Sequence, residues 1–378
     1  MHICFITHEY PSKGRKTGGI GVFVQTLGKA LTANGHIVSV IGSYTTNNQI
    51  EYQDDKINIY DIPKPKIPFL KWWQYKNNLV KTIHKINTKT PIDILEGAES
   101  SFAFLPKFKD IKKVIRLHGG HSFFTSCAND KINWRKKYIE QLSINKCDGI
   151  IGVTNYVLQT TGKLLNFGKA KTTIITHPID TDLFKPIPHI LEIPYSLTFA
   201  GTNCKKKGLY ELCQAIEILY KKYPNLKLWI VGKDSKHHND LSYQQFLKNT
   251  FLPKLNRNIQ FIGAINQHEL KTFYAKAQIC IFPSHMETQG LVAPEAMAMK
   301  KLVIFSNTGP GPETITHKKN GLLCNPHNPS DIAKQIEWVF NNQSHINDIK
   351  NKAYQSAIKK FNCSRAVKEN LKFYQSLL

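Results

Sequence analysis

The chain is short of several things that would otherwise place it. It holds 27 acidic residues against 51 basic ones, a formal net charge of +24 over 378 residues. Its eight cysteines are scattered at positions 4, 127, 147, 204, 213, 280, 324 and 363, and no two form a C-x-x-C pair. That argues against a zinc ribbon or a disulfide framework. Several lie in apolar runs and read as buried free thiols of a cytosolic protein. No apolar run reaches the roughly 20 residues of a membrane-spanning helix. The N-terminus lacks the pattern of a secretory leader, since Met1-His2-Ile3-Cys4-Phe5-Ile6 goes straight into a strand. The G-x-G-x-x-G turn of dinucleotide enzymes is missing, which disfavours NAD. No RNA-binding or helix-turn-helix signature occurs, so nucleic acid is not an expected partner.

What the chain does have is lysine, asparagine and isoleucine throughout. The positive charge calls for an acidic partner, an anionic membrane surface or a phosphorylated substrate. Part of the lysine excess is compositional bias. The length suits two domains, and a hydrophobic content of 41 % is enough for real cores.

The first half alternates strand and helix. Residues 2–7 read as a buried strand. A loop from Ser12 to Thr17 with three basic residues follows, then Gly18-Gly19-Ile20-Gly21. Val22, Phe23, Leu27, Ala30 and Leu31 have helical spacing, Asn34-Gly35 stops the helix, and His36 to Ile41 is the next strand. This is a β-α-β unit of Rossmann type, its glycines letting an anion approach N–H groups at the helix start. Further strands are expected at 91–96, 113–118, 147–154 and 172–175. The second of these ends in His118-Gly119-Gly120, where α/β folds place their ligands. Residues 66–76, with Trp72, Trp73 and Tyr75 among lysines, suit either a bilayer surface or packing on the domain, ahead of a core-facing helix from Leu79 to Ile86.

The prolines after His177 mark a linker. Asp180-Thr181-Asp182 has the D-x-D pattern of metal-dependent transferases, but its place after a proline turn predicts a capping role. A second strand–helix series then begins at Tyr195, again implying a parallel sheet with helices on both faces. The expected fold is α/β, two Rossmann-like domains facing a central cleft: residues 1–180, residues 181–362, and a last helix of about 363–378 returning to the first domain. Lys205-Lys206-Lys207 follows the first strand of the second series and suits a diphosphate.

The stretch Pro283-Ser284-His285-Met286-Glu287-Thr288-Gln289-Gly290-Leu291-Val292-Ala293-Pro294-Glu295 organises the second half. It reads as the end of a buried strand, a polar loop and the start of a buried helix. Gly290 to Val292 would present free N–H groups at the helix start, and Pro294 fits the first turn. Glu295 on an apolar helix needs a partner, and a ligand rich in hydroxyls is one candidate.

These motifs resemble the retaining glycosyltransferases of family 4 (glycosyl transferases group 1), with the GT-B fold, over essentially the whole chain. Glu287-x7-Glu295 followed by Ala-Met-Ala is the most specific part. Gly18-Gly19-Ile20, Arg116-Leu117-His118-Gly119, Asp180 to Pro186, Lys207-Gly208 and Asn320-Gly321-Leu322 support it. The resemblance implies transfer of a sugar from a nucleotide-sugar donor, UDP being the expected nucleotide, with retention at the anomeric carbon and without a bound metal or other cofactor. It implies that the first domain binds the acceptor, a glycan or a lipid-linked saccharide of surface-polysaccharide assembly, at the cytoplasmic face of the membrane, and that the second binds the donor. Gly19 would let a loop reach the donor diphosphate, and His118 would lie at the reacting centre. Lys207 would neutralise the leaving group and Glu287 would bond sugar hydroxyls. Gly290, Leu291 and Val292 would hold sugar and phosphate through their N–H groups, and Glu295 would bind the ribose. Two positions depart from the family pattern: Thr202 stands where an arginine is usual, with Lys205 or Lys206 as possible substitutes, and Thr288-Gln289 stands after Glu287. The readings to be separated from this one are another two-Rossmann enzyme, such as an epimerase or phosphorylase, and a non-catalytic basic binding protein.

Overall fold

The computed structural model describes residues 1–11, 18–43, 50–65, 70–236 and 242–378. The basic loop 12–17 and residues 66–69 of the aromatic stretch lie outside the described residues. The chain divides into two compact units, Met1–Pro178 with Cys363–Leu378, and Ile179–Asn362. Among the described residues no helix is long and apolar enough to cross a membrane.

The first unit holds strands β1 (His2–Ile6), β2 (Ile37–Ser43), β3 (Ile50–Asp54), β4 (Ile57–Ile62), β5 (Ile94–Gly97), β6 (Lys112–Leu117), β7 (Gly149–Gly152) and β8 (Lys171–Ile174). They form one sheet in the order β3-β4-β2-β1-β5-β6-β7-β8, parallel except for the antiparallel pair β3–β4. Its helices are α1 (Gly19–Ala33), α2 (Lys71–Lys89), α3 (His121–Cys127), α4 (Trp134–Ile144) and α5 (Asn155–Leu164). Strand side chains alternate between faces, and here both faces are covered. Ile3 and Phe5 of β1 pack with Phe23, Leu27 and Leu31 of α1, while Cys4 and Ile6 pack with Leu79, Ile83 and Ile86 of α2. A strand buried on both sides reads as an unbroken apolar run, which is why the central strands were visible in the sequence. The β3–β4 pair was not foreseen. Its signal is the alternation of Ile57-Asn58-Ile59-Tyr60, whose isoleucines are buried and whose intervening residues are half-exposed.

The second unit holds β9 (Ile193–Ala200), β10 (Lys227–Val231), β11 (Ile259–Gly263), β12 (Ala277–Phe282), β13 (Leu302–Ser306) and β14 (Leu322–Cys324), in the order β11-β10-β9-β12-β13-β14 and all parallel. Helices α6 (Leu209–Leu219), α7 (Tyr243–Leu255), α8 (Gln267–Lys276), α9 (Val292–Ala298), α10 (Gly311–Thr314), α11 (Pro329–Asn341) and α12 (Gln343–Lys360) cover it. Leu197 and Phe199 of β9 face α6, α7 and α11, while Cys280 and Phe282 of β12 face α9 and α12. The last helix, α13 (Cys363–Gln375), belongs to the first unit, where Ala366, Val367, Phe373 and Tyr374 join the layer under α1.

In each sheet the strand order reverses at one point, between β1 and β5 in the first unit and between β9 and β12 in the second. Open α/β sheets bind ligands outside the carboxyl ends of the strands at such a point. The segments leaving those ends are Thr7–Glu9 and Ala98–Ser101 in one unit, Gly201–Gly208 and Pro283–Val292 in the other.

Two sequence readings need correction. Trp72, Trp73 and Tyr75 do not precede the helix; α2 begins at Lys71 and carries them on its first turns. Nor do the tryptophans simply pack on the domain, because Trp72 and Trp73 are 55 % and 47 % exposed. Asp180 does cap a turn, its Oδ1 accepting from the N–H groups of Asp182 (3.0 Å) and Leu183 (2.9 Å).

Candidate functional site

In the second unit the chain after β9 makes a one-turn 3-10 helix, Lys205–Lys207, that ends on Gly208 in the left-handed conformation, φ +66°. A Cβ at Gly208 would lie 1.9 Å from the Pro283 carbonyl oxygen. No other residue therefore lets this turn lie against the loop after β12. The N–H of His285 donates to the Lys206 carbonyl (2.9 Å) and locks the two segments together. Across this contact Lys207 forms an ion pair with Glu287, and the Ser284 hydroxyl also donates to Glu287, at 3.0 Å. Both partners of the pair are largely buried. Residues 80 positions apart, singled out independently in the sequence, thus share one hydrogen bond. Lys205 and Lys206 are exposed on the same turn, and Thr202 is half-buried ahead of it.

Gly290 is also left-handed, φ +74°, with Phe305 where a Cβ would go. The chain can therefore turn sharply into α9, with Leu291 as its N-cap. The Ala293 N–H turns back to the Gly290 carbonyl (3.1 Å). The first N–H groups of a helix have no acceptor within it, which places those of Leu291 and Val292 at this opening turn. Pro294 sits within that turn, and Ala293 to Ala298 are all buried. Glu295 is among them, 6 % exposed, and burial raises its carboxyl to about 7, a rise moderated by the neighbouring Tyr274 side chain. The buried Tyr274 hydroxyl makes no well-formed hydrogen bond of its own. Sequence reasoning missed Tyr274, whose helical position on α8 gives no hint that it meets α9. It also missed Glu211 and His327: His285 Nε2 lies 3.2 Å from the Glu211 carboxylate, and its ring stacks on His327 at 4.2 Å between centroids.

In the first unit, Gly19 opens α1, is exposed, and among the described residues has no atom within 4 Å of the place its Cβ would take. Gly18 and Gly21 are tighter. A Cβ on Gly18 would meet the Glu9 carboxylate and one on Gly21 the Glu9 carbonyl, and the Ile20 N–H donates to Glu9 Oε2 at 3.3 Å. The glycines thus seat the chain's own carboxylate at the start of α1, an interaction the glycine pattern alone did not disclose.

His118 follows β6 and is half-buried, its ring against Phe23 and His177 at 5.5 and 5.0 Å. Burial first, and the Arg116 charge second, push its pKa down to about 3. At neutral pH it is an uncharged imidazole, able to orient a hydroxyl but not to act as a cation. The turn that carries it is held by two buried carboxylates. The Gly119 N–H donates to Glu99 (2.7 Å), and the His121 and Ser122 N–H groups donate to Glu140 (2.5 and 3.1 Å). Burial, with Glu140 adding its repulsion, raises Glu99 to about 7. Neither glutamate stands in a motif, so only the fold could reveal them.

At the β1–β5 reversal lies a cavity of about 390 Å³. Ile6, Ile20, Trp72, Leu79, Phe104 and other apolar groups line it, and Thr7, His8, Glu9, Lys76, Ser100 and Ser101 add polar points. Among the described residues no group of three or more His, Cys, Asp or Glu is placed to hold a metal ion.

The family described as Glycosyl transferases group 1 matches residues 182–356, and the family described as Glycosyltransferase Family 4 matches residues 17–183. An uncharacterized glycosyltransferase of Methanocaldococcus jannaschii is 25 % identical, over 99 % of this chain and 98 % of the relative. Among solved structures, a sucrose-phosphate synthase from Thermosynechococcus elongatus superposes with a TM-score of 0.85 at 19 % identity, over 100 % of this chain and 98 % of the other. HepE of Anabaena, solved in complex with UDP and glucose, gives 0.77 at 15 % identity over 100 % of both chains. At those identities the structural likeness speaks for the fold.

Proposed function

We propose, from the premise that this chain belongs to the glycosyltransferases of GT-B fold, that it moves a sugar from a nucleotide-sugar donor to a saccharide acceptor with retention at the anomeric carbon and without a metal ion. The observation that carries this reading is the Lys207–Glu287 pair at the β9–β12 reversal, beside the opening turn of α9 and the buried Glu295. The donor's departing diphosphate gains negative charge as the glycosidic bond breaks, and fixed positive charge and N–H groups at that point lower the barrier. Lys207 supplies the charge, and the N–H groups of Gly290, Leu291 and Val292 supply the donors. Binding exchanges the Lys207–Glu287 contact for Lys207 on phosphate and Glu287 on sugar hydroxyls. Glu295 accepts from the ribose hydroxyls. Lys205 and Lys206, exposed on the same turn, offer the charge that Thr202 lacks. UDP is the proposed nucleotide, supported by the UDP complex of HepE.

In the first unit, Gly19 leaves the start of α1 open to the donor phosphates, and neutral His118 orients a hydroxyl at the reacting carbon. Gly19 is exposed at the start of α1, so Gly19→Val is expected to fold normally, by circular dichroism, and to lose donor turnover. The apolar cavity at the β1–β5 reversal takes the acceptor, a lipid-linked saccharide or a glycan of surface-polysaccharide or lipopolysaccharide assembly on the cytosolic side of the membrane. Its apolar lining supports the lipid-linked form.

The test is donor hydrolysis with a panel of UDP-, GDP- and ADP-sugars in EDTA, reading free nucleoside diphosphate. Release from one donor, indifferent to chelator and giving the same anomer by NMR, is expected. Loss of activity in EDTA, or an inverted product, sinks the proposal.

Donor affinity should also follow pH. Ribose hydroxyls bond the ionised form of Glu295, and burial holds that group near pKa 7. Raising the pH from 6 to 8 ionises it, so donor binding tightens by about tenfold. The folding term has the opposite sign. A carboxyl raised on folding binds its proton in the native state first, so its contribution to stability falls as pH rises from the ordinary carboxylate range to about 7. Calorimetric titration of donor at several pH values checks the first claim, and Glu295→Gln should flatten the curve.

A further inference from the structure

The first unit carries a surface that the donor chemistry leaves unused. Trp72, Tyr75 and Lys76 of α2, Ile139 of α4 and Phe104 line the same cavity. On these two helices and the Phe104 loop several large aromatic side chains are exposed. Trp72, Trp73, Phe104, Trp134 and Tyr138 are 55 %, 47 %, 44 %, 71 % and 58 % exposed. Three of the chain's five tryptophans are therefore exposed on these two helices. Trp72 is also in ring contact with Phe104, at 5.3 Å between centroids. Trp134 and Tyr138, four residues apart, share one side of α4. Asn133 caps that helix, accepting from the N–H groups of Arg135 (3.0 Å) and Lys136 (3.2 Å), so the run Trp134-Arg135-Lys136-Lys137 is held on a regular first turn.

The charge on these helices has one sign. α2 carries Lys71, Lys76, Lys81, Lys85 and Lys89 and no acidic residue. The acid of α4, Glu140, is turned inward onto the His121 and Ser122 N–H groups, leaving Arg135 and Lys136 exposed and Lys137 half-buried. Lysine is depleted from protein–protein interfaces. Exposed Trp and Tyr set among Lys and Arg are the composition that lies in the headgroup layer, with rings at the acyl boundary and cations on anionic phosphates.

We propose that this face, the N-terminal halves of α2 and α4 around the cavity mouth, docks on an anionic lipid bilayer. The docking stands apart from the donor assignment. A further consequence does rest on the acceptor reading: an acceptor anchored in the membrane enters the cavity without leaving the headgroup layer.

Vesicle flotation of the full chain tests the docking. Wild type should float with phosphatidylglycerol-containing vesicles and stay at the bottom with phosphatidylcholine alone. Each basic residue contributes about fivefold to partition, so R135Q/K136Q/K137Q should lower it by roughly 100-fold. Trp73→Ala with Trp134→Ala should lower it as well. The equal charge change K29Q/K368Q/K372Q, at exposed positions of α1 and α13 on the opposite face of the same sheet, should alter it less than about twofold, since the sheet and its helix layers hold these lysines beyond the reach of the surface field. Donor hydrolysis without vesicles should be the same in all these variants, which separates a failure of docking from a failure of the transferase reading. Absence of flotation, equal loss in the control variant, or self-association abolished by Trp134→Ala would each overturn the proposal, the last by identifying a second copy as the occupant.

Discussion

Lys207→Ala is expected to lower the turnover of the preferred donor by roughly 100- to 1,000-fold, with the fold intact. The size follows from where the ammonium stands. It lies at the strand-order reversal of its sheet, held by a turn that only Gly208 permits and aimed at Glu287. In the free protein it satisfies a carboxylate, and on the proposed reading it meets the diphosphate when donor binds. Its loss leaves Glu287 still bonded to the Ser284 hydroxyl, so stability should change little while charge stabilisation of the leaving group disappears. Lys207→Arg keeps the charge on a bulkier, planar head and should recover only part of the rate. Glu287→Gln should act differently, since a neutral amide still bonds sugar hydroxyls but releases Lys207, and KM should rise more than kcat falls. Steady-state kinetics of the three variants decides this. Turnover of Lys207→Ala within about twofold of wild type would remove Lys207 from the mechanism.

Glu96→Ala should destabilise the first unit by about 3–5 kcal/mol, a large share of the roughly 5–15 kcal/mol that holds a domain together. The Arg116 guanidinium is 0 % exposed. Its Nε donates to Glu96 Oε1 at 2.7 Å and its Nη2 to Glu96 Oε2 at 3.1 Å, while Nη1 has no partner among the described residues. Asn370 and Tyr374 of α13 complete the cluster, the Tyr374 hydroxyl donating to Glu96 at 2.5 Å. The Phe23 ring of α1 lies 4.7 Å from the guanidinium carbon. Removing the carboxylate strands a buried cation. Removing both charges does not, so Glu96→Leu with Arg116→Met should be far milder than Glu96→Ala alone. Urea unfolding followed by limited proteolysis of the first unit measures the difference, and equal losses in the single and double variants would refute the account. Because Arg116 also helps depress the His118 pKa, the double variant should let that pKa rise, which NMR titration of the imidazole would read.

Much of this was legible in the sequence for a definite reason. Strands buried on both faces must be apolar throughout, so β1, β12 and β13 announce themselves as runs, and the helices between them show a period near 3.6. Gly208 and Gly290 sit where φ is positive and a Cβ has no room, so the turns around the candidate site are written in the residue type. The Glu287-x7-Glu295 spacing survives because both ends lie on one strand–loop–helix segment. The β3–β4 pair was passed over because a half-exposed strand gives only a weak alternation. The position of Trp72 and Trp73 was misjudged because aromatic content says nothing of which side of a helix faces water.

The sequence by itself determined the fold class, the family and the segments from which a site can be made, because these depend on local periodicity, turn residues and motif order. Tertiary structure decided which residues meet. It paired Lys207 with Glu287, set Tyr274 against Glu295, and put Glu99 and Glu140 under the His118 turn. It also decided which groups are titratable near neutrality. Burial raises Glu295 and Glu99 to about 7 and pushes His118 to about 3. Such shifts come from desolvation and from charges distant in the chain, and neither quantity exists until the sheets have closed over them.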